Sequence, residues 1–73
     1  MTGQDQARLL LAEAVNCEVA AIPDDVRIGG FAAWDSLAHL RLVLGIEQKL
    51  GRQLDADEAI RIESLQDIAA LLG

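Results

Sequence analysis

Three side chains in this sequence could carry chemistry: Ser36, His39 and Cys17. Ser36 follows Asp35 at the head of a dense apolar run, the pattern of a helix start whose carboxylate caps the free N–H groups of the first turn. A hydroxyl there lies at the positive end of a helix dipole, which favours an anion such as a phosphodiester. His39 stands one turn further on, close enough to suggest a nucleophile and its base. Such a pair also needs an orienting third group and an oxyanion site, and neither is visible nearby, so His39 reads as a partly exposed helix histidine. A minimal hydrolase on Ser36 and His39 would require esterase activity that disappears when either is changed to Ala. Cys17 is the only cysteine, which leaves no intrachain disulfide and no cysteine metal cluster; it reads as a small, partly buried residue in a reducing compartment. Gly29-Gly30 follows no strand and precedes no Lys-Ser or Lys-Thr, so a nucleotide cradle is not expected there. No metal site and no catalytic residue are predicted.

The helix that must present Ser36 runs to a stop at Gly51. Its apolar residues sort at about 100° per residue into two stripes. Leu42, Val43, Ile46 and Leu50 form one; Leu37, Leu40 and Leu44 form a second that flanks Ser36. A surface helix of a small domain needs one stripe for its core. The second is therefore either a wider core contact, with the helix buried on two sides, or a patch kept for a partner.

The remaining elements follow from local signals. Thr2 and Asp5 have capping-box spacing, and Ala7, Leu10, Leu11, Ala14 and Val15 repeat at helical intervals, with Gln6, Arg8 and Glu13 on a solvated face, which predicts a first helix to about Asn16. Periodicity then fails from Cys17 to Trp34 around Pro23 and Gly29-Gly30, which predicts a long loop pinned by Ile22, Val26, Ile28, Phe31 and Trp34. Trp34 reads as a packing anchor at the helix start. Asp55 and Glu58 repeat the capping spacing ahead of a short helix, and Ser64 opens a final one with Leu65, Ile68, Ala69, Leu71 and Leu72 on its apolar face. Three longer helices and one short helix predict a single all-α domain over residues 1–73, a small four-helix bundle with a long first loop.

Composition narrows the partners. The chain has 73 residues, 52% hydrophobic, with Phe31 and Trp34 its only aromatics, so the core must be aliphatic. Twelve acidic against 6 basic residues give a net charge of −6, which argues against nucleic-acid phosphates and anionic membranes and for proteins with basic surfaces. No basic region followed by an apolar run opens the sequence, and no apolar stretch approaches a bilayer's thickness, so a cytoplasmic location is expected.

Asp35-Ser36-Leu37 at the head of an apolar helix, with a long loop before it and Glu47-Gln48-Lys49-Leu50-Gly51 at its end, resembles the acyl carrier proteins. The likeness runs from the first helix to Leu71-Leu72. The tripeptide alone is weak; tripeptide, position, chain length and helix order together are specific. The resemblance implies that Ser36 carries 4′-phosphopantetheine, donated by coenzyme A through a phosphopantetheinyl transferase, beside the helix cap Asp35. It implies that acyl groups ride as thioesters on that arm and are loaded and processed by other enzymes, with Leu37, Leu40, Arg41 and Leu44 meeting these partners. The chain itself would then be no enzyme, and a monomer is expected. The reading from another class is a small helical interaction module with no prosthetic group.

The sequence departs from the family at places where fatty-acid-type carriers present acids on the second helix: Ala38 and Arg41 occupy two of them, and Lys49 adds a positive charge. Glu47 and Asp35 remain. Arg41 either pairs with a partner carboxylate or is a solvated helix former. A less acidic partner surface is expected, and Trp34-Asp35-Ser36-Leu37 resembles freestanding carriers of specialised polyketide or hybrid peptide pathways more than fatty-acid synthase carriers.

Overall fold

Residues 2–73 are described by a computed structural model. The first helix, α1, spans Gly3–Val15 and starts where the sequence says it must: the Thr2 hydroxyl accepts from Asp5 N–H at 3.1 Å, and the Asp5 carboxylate accepts from Thr2 N–H at 3.2 Å. It ends at Asn16, whose φ of 59° is left-handed, a conformation that an Asn side chain tolerates and most residues resist. The second helix, α2, spans Ser36–Leu50 and closes on Gly51 at φ 72°, where a Cβ would be strained. The short α3 spans Ala56–Ile60 behind an Asp55–Glu58 capping box, and α4 spans Leu65–Leu72 behind Ser64, whose hydroxyl accepts from Asp67 N–H.

α1 is the central helix and packs against both α2 and α4. Ala7, Leu11, Ala14 and Val15 from α1, Ala38, Leu42 and Ile46 from α2, and Leu65 and Ile68 from α4 enclose an aliphatic core with Ile22, Val26, Ile62 and Trp34. Ala12, not assigned to the apolar face by its spacing, is buried as well. A radius of gyration of 10.9 Å matches the roughly 11 Å expected of a compact chain this long, so the described residues form one body. The architecture is a small all-α bundle, with no helix long and apolar enough to cross a membrane among the described residues.

The long loop is more structured than its irregular sequence suggests. It holds a 3₁₀ turn at Val19–Ala21, where a bare loop was expected. Ile22, Val26 and Trp34 are buried, while Ile28 and Phe31 pack partly against the core. Two ties reach across the fold. Arg8, expected on a solvated face, donates instead to the Ile22 carbonyl at 2.6 Å and pairs with Asp24. Ile28 N–H donates to the Glu63 carbonyl at 3.0 Å, so the loop is held to the connection before α4. Neither tie is local in sequence, which is why helical spacing could not reveal them.

α3 is held differently from the other helices. None of its side chains is buried, and Ile60 is 74% exposed. Its flanks, Leu54 and Ile62, reach the core, and polar contacts supply the rest: Arg52 donates to both Glu58 oxygens at 3.1 and 3.0 Å, and the Glu47 carboxylate accepts from Leu54 N–H at 2.8 Å. The Arg52 guanidinium and then the Asp55 N–H hold the Glu58 carboxyl below the usual carboxylate range, and bonds from Thr2 do the same for Asp5. A carboxyl whose folded pKa is depressed contributes stability above its unfolded pKa and loses it as pH falls through the folded one. Acidification from roughly pH 4 downward, the ordinary carboxylate range, is therefore expected to fray α3 and the start of α1 ahead of α4. Backbone amide NMR across an acid titration reads this, and Glu58→Gln should fray α3 already at neutral pH.

Candidate functional site

Ser36 is the first residue of α2 and is exposed. Its position is set by the cap before it: the Asp35 carboxylate accepts from Ala38 N–H at 2.9 Å, while the Asp35 carbonyl accepts from His39 N–H at 2.8 Å. Of the four N–H groups that a helix start leaves without helical partners, Ala38 N–H is thus taken, and Asp35 sets a negative charge beside Ser36. That charge opposes capture of a free anion.

The rotation of α2 decides what surrounds Ser36. Ala38, Leu42 and Ile46, one turn apart, are buried, and Val43 and Leu50 pack partly against the core. The opposite stripe is uncovered: Leu37 and Leu40 are each 56% exposed and Leu44 52%. Burial on both sides, one of the two expectations, is excluded. Arg41 is exposed within the same stripe and forms no salt bridge among the described residues, so the structure brings Leu37, Leu40, Arg41 and Leu44 onto one face that begins beside Ser36. Leu44 sits between two shallow grooves: one of about 270 Å³ includes Leu10 and Arg41, and the other, of about 360 Å³, includes Glu47 and Arg52.

Two expectations for this face are corrected. Ala38 is buried, so it is not one of the surface places where an acid is missing; a carboxylate there would lie in the core. Glu47 is half-buried and its carboxylate is engaged by Leu54 N–H, so it braces the connection to α3 and is not a free charge for a partner.

Trp34 is the packing anchor its position suggested, buried at the head of α2. Its indole also has a polar role that spacing did not reveal. Trp34 Nε1–H donates to His39 Nδ1 at 3.0 Å, and His39 Nε2 lies 2.8 Å from the Ala59 carbonyl. An indole N–H can only donate and a carbonyl can only accept, so the tautomer with its proton on Nε2 satisfies both contacts. Both ring nitrogens are occupied, and neither is bonded to the Ser36 hydroxyl. His39 is therefore held by Trp34 and Ala59 and is not bonded as a base to Ser36. Cys17 is half-buried, its thiol 3.6 Å from the Val15 carbonyl. Among the described residues no cluster of His, Cys, Asp or Glu is arranged to hold a metal ion.

If the cap and the rotation of α2 are as described, three substitutions separate them. Asp35→Ala should cost about 1 kcal/mol and Leu42→Ala about 2–5 kcal/mol, whereas Leu40→Ala, on the exposed face, should stay within about 0.5 kcal/mol of wild type. Urea unfolding checks all three. No protein-family model and no curated protein matches the chain.

Proposed function

We propose that this chain is an acyl carrier protein, and that Ser36 is the attachment point for 4′-phosphopantetheine. The observation that carries the reading is the pairing of an exposed hydroxyl at the head of α2 with an exposed leucine face running away from it. The arm would supply a terminal thiol on which an acyl group is held as a thioester. Tethering raises the acyl group's effective concentration at each partner's active site and prevents its loss between steps.

The chain's own part is to present. Asp35 caps and orients the helix start, and Leu37, Leu40 and Leu44 offer apolar area to the transferase and to acyl-loading and acyl-processing enzymes, with Arg41 available to a partner carboxylate. Such contacts are small and transient, since a carrier must leave each partner. In loading, Ser36 would supply the hydroxyl that takes the arm's phosphate from coenzyme A, with 3′,5′-adenosine bisphosphate as the leaving group. The hydroxyl proton must go to a base on the transferase, because His39 has both nitrogens engaged. This role suits a cytoplasmic monomer serving a polyketide, hybrid peptide or fatty-acid-type pathway, and an α2 carrying Arg41 and Lys49 favours the specialised pathways.

The exposed stripe also supports a second reading, a helical interaction module without a prosthetic group. Incubation with coenzyme A and a broad-specificity phosphopantetheinyl transferase distinguishes the two. The carrier reading expects the wild type to gain the mass of one phosphopantetheine unit and Ser36→Ala to gain none. An unmodified wild type under conditions that load a control carrier favours the interaction module.

A further inference from the structure

α3 contributes no buried side chain, and an imidazole of α2 ties its C-terminal half to the centre of the molecule. His39 is on α2, three residues after Ser36; Trp34 ends the long loop, two residues before it; Ala59 is in α3. The ring spans all three elements, accepting the Trp34 indole proton on Nδ1 and donating from Nε2 to the Ala59 carbonyl. The other polar ties of α3, the Arg52–Glu58 pair and the Glu47 bond to Leu54 N–H, lie nearer its N-terminal side; the Arg52–Glu58 pair is exposed enough to be screened. Toward its C-terminal end the described polar tie to α2 is His39.

We infer that His39 is a latch: α3 is a flap hinged at Leu54 and Ile62, and the His39–Ala59 bond holds it closed while the His39–Trp34 bond passes its position to the residues that flank Ser36. Opening the flap breaks the bond at Nε2 and releases the ring that fixes the indole. The two bonds have separable functions, one for α3 and one for the mouth of α2. His39 is in this sense a positioning residue, and the inference stands on the two bonds whether or not Ser36 is modified.

Side chains that keep one arm at a time test it. Asn places an amide oxygen near the position of Nδ1 and has nothing that reaches Ala59; Gln places an amide N–H near the position of Nε2 and leaves the indole without its acceptor. Amide exchange and the Trp34 indole N–H resonance are measured by NMR for wild type, His39→Asn and His39→Gln. The latch expects Ala59 and Arg61 N–H in His39→Asn to exchange about tenfold faster, the factor for one lost hydrogen bond of about 1.4 kcal/mol, with the amides of α1 and α4 changing less and the indole resonance retained. His39→Gln should keep α3 exchange near wild type while the indole resonance shifts. Equal acceleration of α3 in both variants, acceleration only in step with α1 and α4, or no change in either would each overturn the latch and leave His39 a filler of space.

Discussion

The rotation of α2 about its own axis is the constraint on which the rest depends. Ala38, Leu42 and Ile46 must face the bundle, because their burial with α1 and α4 closes the core. Once they do, the helical repeat leaves no choice about the opposite side: Leu37, Leu40 and Leu44 face outward with Arg41 among them, and the first turn carries Ser36 at the edge of that stripe. Turning the helix far enough to cover the leucines would uncover Leu42 and Ile46. Core packing thus fixes the presentation of the hydroxyl, and the apolar surface left outside is the part of the fold that its own packing does not explain.

The two ends of the site are stabilised by different physics. At the head of α2, local bonds from Asp35 and the buried indole of Trp34 fix the backbone, so Ser36 stands on a rigid support. Around α3 the support is polar: an Arg52–Glu58 pair that salt screens, beside hydrogen bonds that join Glu47 to Leu54 N–H and His39 to the Ala59 carbonyl. A bundle with one well-buried face and one lightly attached helix has its low-stability region defined in advance, and local opening is expected to begin there. His39 is where the two regimes meet.

The legibility of this sequence follows the range of the interactions involved. Helix ends could be read because caps are local: Thr2 with Asp5, Asp35 before Ser36, Asp55 with Glu58, Ser64 and Gly51 all act within a few residues. Periodicity identified both stripes of α2 but could not say which neighbour covers either, since that depends on where α1 and α4 pack. The ties from Arg8 to Asp24 and from Ile28 to Glu63 join residues far apart in the chain and leave no spacing to detect. The partner of His39 on α3 is a backbone carbonyl, which every residue possesses, so no residue type could mark it. Loss of periodicity places the end of α1 at about Asn16, while the left-handed backbone of Asn16 has no glycine to mark it.

The core turns Ser36 outward, and in the proposed function that hydroxyl bears a covalent arm. Intact-mass measurement of the protein recovered from its native cells, with fragmentation to place any added group, tests it most directly. The account predicts a population carrying one phosphopantetheine unit, with or without an acyl group, on Ser36. Protein whose Ser36 is bare throughout, or whose added mass maps to another residue, would contradict it.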